Sequence, residues 1–143
     1  MITRVKTIRR PALSAWRRHL LFDAMVPAGF PSPAADYEQD RLDLNKHLVG
    51  NAAATFFVRV AGDSMVGAGI HTGDLLVVDR SLEPRDKNVV IAVIDGELTV
   101  KRIRLKAGKI TLEPENPDYA TLEITADTAF EVWGVVTSVI HKL

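Results

Sequence analysis

The 143-residue chain contains no cysteine, and that absence removes several chemistries at once. A thiol nucleophile, disulfide staples and cysteine-ligated zinc are all excluded. Long apolar runs are missing as well, since no stretch reaches the roughly 18 residues that a membrane span requires. A secretory leader is equally unsupported. Val26-Pro27-Ala28 has the small-residue character of a signal cleavage site, but Asp23 breaks the apolar run Leu20-Leu21-Phe22 ahead of it. The chain therefore reads as soluble and cytoplasmic. The four histidines, His19, His47, His71 and His141, fall in no metal-binding spacing and read as surface or locally bonded residues. No metal and no other cofactor is expected.

Net charge is also absent, at zero overall, yet it is unevenly spread. Residues 1–28 hold six basic side chains against the single acid Asp23, a net of +5, and the remainder carries −5. Such a segment is either a solvated basic tail or an arm drawn to an acidic body or to nucleic acid. Hydrophobic content of 47% and charged content of 25% are those of a globular protein, and the length suits one domain with a modest core.

Residues 1–50 show no sustained period. Leu13, Trp16, Leu20 and Ala24 recur at helical spacing, so a short helix is expected between Ala12 and Ala24. Pro31 and Pro33 then stop it. Asp36 to Leu48 is expected to hold a helical turn. From residue 55 the character becomes that of short strands: Thr55–Val60, Asp74–Asp79, Asn88–Ile94, Glu97–Leu105, Ile110–Glu113, Thr121–Ile124 and Phe130–Ile140. Asp95-Gly96 marks a tight hairpin turn between the third and fourth. Many short strands punctuated by glycine and proline predict a mainly β fold, a small sandwich or partly open barrel, preceded by an extended, partly disordered N-terminal arm. The expected organisation is a removable basic arm over residues 1–28, a linker over 29–50 and a β domain over 51–143.

Two positions invite chemistry. Gly62-Asp63-Ser64-Met65 directly follows the first strand, where a glycine allows a sharp turn that presents the serine beside backbone N–H groups. A lone Gly-x-Ser is commonly just a turn, and this one lacks the spacing of a nucleophile elbow. The second is Lys101. Successive strand side chains face opposite ways, so Thr99, Lys101, Ile103 and Leu105 share one face while Arg102 and Arg104 wet the end of the other. That sends Lys101 inward, where lost solvation lowers the pKa of an amine and makes a neutral base available. The competing reading is a lysine that snorkels to water along the strand. A serine–histidine pair would instead need His71 and an orienting carboxylate, which nothing in the sequence brings together.

In combination these segments carry a family resemblance. Gly62-Asp63-Ser64-Met65, Gly73-Asp74-Leu75-Leu76-Val77-Val78-Asp79 and Glu97-Leu98-Thr99-Val100-Lys101-Arg102 resemble the LexA/UmuD serine–lysine autoproteases, with a matching serine-to-lysine interval of 37 residues. Ala28-Gly29-Phe30-Pro31-Ser32-Pro33-Ala34-Ala35-Asp36-Tyr37 resembles the UmuD and MucA branch around its cleavage site. The resemblance spans about residues 28–143 and implies Ser64 as nucleophile and Lys101 as general base. It further implies the amides of Asp63 and Ser64 as oxyanion donors and Ala28-Gly29 as the scissile bond. As partners it implies a second copy of the chain, a RecA filament on single-stranded DNA that stimulates self-cleavage, and a UmuC-like translesion polymerase.

A 28-residue arm is too short for the winged helix-turn-helix domain of a LexA-type repressor, so sequence-specific DNA binding is not expected. Three rival readings stand beside the autoprotease of DNA-damage mutagenesis. One is a non-enzymatic polymerase-regulating module with a vestigial dyad. The others are a signal-peptidase-like enzyme acting on other chains and a fragment of a LexA- or phage-type repressor.

Overall fold

A computed structural model describes residues 2–11, 18–22 and 39–143, with the backbone alone described for 18–22 and 39–41. Among the described residues ten strands and one short α-helix follow one another, with a 3-10 turn at Val66–Ala68. They are β1 (Arg4–Arg9), β2 (Arg18–Phe22), β3 (Gln39–Asp43), α1 (Leu44–Leu48), β4 (Thr55–Ala61), β5 (Leu75–Asp79) and β6 (Val89–Ile94). β7 (Glu97–Lys106), β8 (Lys109–Glu113), β9 (Leu122–Ile124) and β10 (Phe130–Ile140) complete the set. The mainly β expectation holds, and every strand read from residue 55 onward is present within a residue or so at its ends.

Eight strands form one antiparallel sheet in the order β1-β4-β5-β10-β6-β7-β8-β9. An additional contact between Arg4 of β1 and Thr99 of β7 brings the first edge round to the middle of the sheet, so β1, β4, β5, β10, β6 and β7 curl into a partly closed barrel. The driving force is burial of apolar side chains from alternating strand positions. Val58, Val60, Met65, Ile70, Leu76, Val78, Ile91 and Val100 form one cluster. Val90, Ala92, Ile103, Leu112 and Val135 form a second. Ile91 enters the first cluster while its neighbours Val90 and Ala92 enter the second, as the two-residue period of a strand requires. Asp95, at φ 48°, and Gly96, at φ 81°, make the tight β6–β7 turn in the left-handed conformation that an Asp-Gly pair favours.

Two parts of the N-terminal region differ from expectation. Over Arg18–Phe22 the chain is a strand, not the helix expected from Ala12 to Ala24. It pairs antiparallel with β3, from Arg18 opposite Asp43 to Phe22 opposite Gln39. Leu20-Leu21-Phe22 suits either period, and cross-strand pairing decides; the rest of the expected helix lies outside the described residues. The helical turn expected within Asp36–Leu48 is α1, where the Asp43 carboxylate caps the amides of Asn45 and Lys46.

The second difference is β1. The basic stretch Arg4–Arg9 is a strand paired with β4, running from Arg4 opposite Ala61 to Arg9 opposite Phe57. Beyond it, the Arg10 guanidinium lies 5.4 Å from the centre of the Phe56 ring.

Candidate active site

Ser64 is placed by a turn that only glycine can make. β4 ends at Ala61, and Gly62 then takes φ +111°, a region closed to most side chains. A β-carbon there would also lie 2.4 Å from the Ile2 carbonyl oxygen, so β1 and the turn approach as closely as backbones can. Met65, fully buried in the first core cluster, anchors the far side of the turn. Ser64 between them is entirely buried.

A second segment clamps this turn from outside. Glu115 donates its N–H to the Ser64 carbonyl at 2.8 Å and accepts the Gly67 N–H at 2.7 Å. The Glu115 carboxylate in turn takes a hydrogen bond from the Arg102 guanidinium. Asn116 Nδ2 donates to the Asp63 carbonyl at 3.0 Å, and the Tyr119 hydroxyl donates to the Asp63 carboxylate. That last bond pushes the Tyr119 pKa up to about 12, because losing the proton would set two anions side by side. Residues 115–119 thus hold the Ser64 loop to the start of the β8–β9 connection, a role that sequence reading assigned to none of them. Asn116-Pro117 was the available signal, as a turn-forming pair.

Lys101 lies midway along β7, opposite Val90. It faces inward with Thr99 and Ile103, as alternation predicts, and is only 8% exposed. Nζ donates to Thr99 Oγ1 at 3.1 Å and to the Val100 carbonyl at 3.2 Å. Among the described residues no carboxylate pairs with it. Burial alone therefore acts on the amine and draws its pKa down from 10.5 to about 8.

Thr3, just ahead of β1, lies between serine and lysine. Its N–H donates to Ser64 Oγ at 2.8 Å, and its carbonyl accepts Thr99 Oγ1 at 3.2 Å. With the Lys101–Thr99 bond this makes a continuous polar chain: Ser64 hydroxyl, Thr3 peptide, Thr99 hydroxyl, Lys101 amine. Among the described residues no hydrogen bond joins Lys101 Nζ directly to Ser64 Oγ. Thr3 is itself fully buried, and among the described residues its own hydroxyl finds no partner. Beside this chain opens a cavity of about 430 Å³, lined in part by Ile2, Arg4, Leu98, Thr99, Lys101 and Leu122.

Of the residues singled out in the sequence, Ser64 and Lys101 are therefore connected through the Thr3 peptide and the Thr99 hydroxyl, and Lys101 lines the cavity beside them. Ala28 and Gly29 lie outside the described residues, in the 23–38 segment that joins β2 to β3. His71 does meet a carboxylate, that of Asp74, but neither bonds to Ser64 among the described residues.

Comparison with known proteins bears on the family of the chain. A family profile described as Peptidase S24-like matches residues 20–137. Protein SamA of Salmonella typhimurium is 52% identical over 122 residues, covering 85% of this chain and 84% of its own. Protein ImpA of Escherichia coli is 48% identical over 124 residues, covering 85% and 83%. Protein MucA of Escherichia coli is 46% identical over 113 residues, covering 78% and 77%. These relatives are UmuD-like proteins.

Proposed function

Given that the chain belongs to the Peptidase S24-like family, in its UmuD-like branch, we propose that it is a self-cleaving serine endopeptidase of DNA-damage mutagenesis. In this reading Ser64 is the nucleophile, Lys101 the general base, and the Ala28-Gly29 bond the substrate. The arm is then residues 1–28, the linker 29–50 and the peptidase domain 51–143. The single observation that carries the reading is the setting of Lys101: an inward amine without a counter-ion among the described residues, its pKa lowered to about 8, linked through Thr99 and Thr3 to a buried serine.

The reaction runs as follows. Thr3 withdraws, which frees Ser64 Oγ from the Thr3 N–H. The neutral Lys101 amine turns from Thr99 Oγ1 to the serine hydroxyl and takes its proton as Oγ attacks the Ala28 carbonyl. The amides of Asp63 and Ser64 donate to the oxyanion, a contribution of about 3 kcal/mol or more per donor in acyl transfer. Collapse of the tetrahedral intermediate breaks the Ala28–Gly29 bond, with protonated Lys101 delivering its proton to the Gly29 nitrogen. Water, deprotonated by the same amine, then releases Ala28 as a carboxylate and restores Ser64. Tethering supplies much of the acceleration, since the scissile bond is part of the same chain. The paired ends Phe22 and Gln39 also keep the two flanks of the 23–38 segment together.

The proposed setting is cytoplasmic, with the chain as a homodimer. A RecA filament on single-stranded DNA would favour the cleavable pose, and a UmuC-like translesion polymerase would take up the shortened product. Among the described residues no helix is long and apolar enough to cross a membrane. One observation favours the rival non-enzymatic module: the Lys101 amine bonds to Thr99 and Val100 and not to Ser64.

Mass spectrometry separates the two. Wild type incubated with and without RecA filaments should yield a new amino terminus at Gly29, and the Ser64→Ala and Lys101→Ala variants should not. An intact wild type under both conditions would refute the peptidase reading.

A further inference from the structure

A second group of chemically active side chains lies away from the cleft. Asp74 stands immediately before β5 and His141 immediately after β10. The antiparallel register that pairs Leu75 with Ile140 therefore sets Asp74 and His141 side by side. His71 joins them through a tight turn: its N–H donates to Asp74 Oδ2 at 2.8 Å, and the Asp74 N–H returns a bond to the His71 carbonyl at 3.1 Å. The carboxylate is 3% exposed, while the two imidazoles are about half exposed, at 50% and 43%.

We propose that His71, Asp74 and His141 form a binding site for a divalent transition-metal ion of the zinc class. The two carboxylate oxygens are divided between the rings. Oδ1 contacts His141 Nδ1, and Oδ2 lies 3.7 Å from His71 Nδ1. One ligand atom from each residue can be chosen so that all lie within 4.8 Å of one another. In a tetrahedral zinc site with bonds near 2.0–2.2 Å, ligand atoms sit about 3.4 Å apart. The ring centres are 4.9 Å apart and tilted by 43°. Closing the remaining gap requires only small rotations of two half-exposed rings about a fixed carboxylate, since the His71 amide already holds Asp74 in place.

Two imidazoles select zinc, nickel, cobalt or copper over magnesium and calcium, which prefer all-oxygen shells. Three protein ligands leave a position for water. Arg59 and Lys142 line the adjoining cavity of about 310 Å³, and Arg59 Nη1 is engaged by the Gly73 carbonyl at 2.7 Å. Their positive charge opposes a bound cation and weakens the site relative to a four-ligand structural one. A bound ion would staple the end of the 62–74 segment, whose beginning carries Ser64, to the last strand of the sheet.

The test uses the full chain without an affinity tag, carrying Ser64→Ala so that self-cleavage does not intervene. Calorimetric titration with zinc chloride near neutral pH should show one ion per chain. Adding His71→Ala or His141→Ala should weaken that binding at least tenfold, and both together should abolish it. Zinc should raise the melting temperature of the parent and leave that of the double variant unmoved. His141→Gln keeps a hydrogen-bond donor for Asp74 but is a poor zinc ligand, so it should preserve the metal-free melting temperature while losing the zinc response. Absence of zinc binding by the parent overturns the assignment. So does binding that survives both alanine changes, or equal binding of magnesium chloride.

Discussion

The base proposed here has a signature in the pH dependence of self-cleavage. Only the neutral amine of Lys101 can accept the Ser64 proton, so the rate follows the deprotonated fraction. With the pKa at about 8, about a tenth of the chains carry a neutral amine at pH 7, about half at pH 8 and nearly all at pH 10. Self-cleavage without any partner should therefore rise about tenfold from pH 7 to pH 10, with its midpoint near pH 8 and a plateau above about pH 9. An amine at its ordinary 10.5 gives a different curve. It is neutral in only about one chain in three thousand at pH 7, and its rate would climb several-hundred-fold without levelling by pH 10. The assay is the initial rate of appearance of the Gly29 amino terminus, by mass spectrometry, at constant ionic strength from pH 6.5 to 10. A flat profile would refute a lysine base. An unbroken climb through pH 10 would refute a buried one.

The same burial should be visible in stability. Because the folded pKa of Lys101, about 8, lies below the unfolded value near 10.5, the unfolded chain binds more protons between them, and stability rises with pH across that window. Below about pH 8 the full penalty applies, at most roughly 3 kcal/mol. Lys101→Met should stabilise the Ser64→Ala chain by up to that amount in urea unfolding at pH 7, and the gain should shrink towards pH 10.5. Thr3→Pro removes the N–H that occupies Ser64 Oγ and should raise the partner-free rate of self-cleavage several-fold; an unchanged rate would mean that β1 does not obstruct the serine. Gly134→Ala places a β-carbon 2.6 Å from Val78 Cγ1 and should cost about 1–3 kcal/mol in thermal or urea unfolding through overpacking of β10 against β5.

What sequence alone could and could not disclose follows from where each element gets its stability. The strands from β4 onward are held by alternating apolar side chains, so hydropathy marks them. The inward direction of Lys101 was legible for the same reason, because Arg102 and Arg104 occupy the opposite face and Ile103 shares its own. β1 gives no such signal. Of its six residues only Val5 is even partly buried, and the strand is held by main-chain pairing to β4, some fifty residues distant. Backbone hydrogen bonds leave no periodic trace in side-chain polarity. The His71, Asp74 and His141 group escaped for a related reason, since it exists only through the β5–β10 register and no linear spacing encodes it. Glu115, Asn116 and Tyr119 act on the serine turn largely through its main-chain carbonyls and one carboxylate, contacts that depend on where a long loop folds back.

In the proposed mechanism, the Ile2–Thr3 segment leading into β1 would also explain how a chain carrying its own substrate remains uncut. The Thr3 peptide donates to Ser64 with its N–H and accepts from Thr99 with its carbonyl, while Ile2 fills the space beside Gly62. An extended segment entering the cleft to present a scissile carbonyl to Ser64 must claim those same groups, so β1 and the Ala28-Gly29 region compete for one place. Two features weaken the docked strand. Among the described residues the Thr3 hydroxyl is buried without a partner, a defect worth about 1–3 kcal/mol against the docked strand. Five of the six β1 side chains are exposed and contribute little burial. A partner that stabilises the open cleft by a few kcal/mol would then shift the population of cleavable chains by two orders of magnitude or more. In the proposed mechanism, control lies in which segment of the N-terminal region occupies the cleft, and the buried amine waits on that exchange.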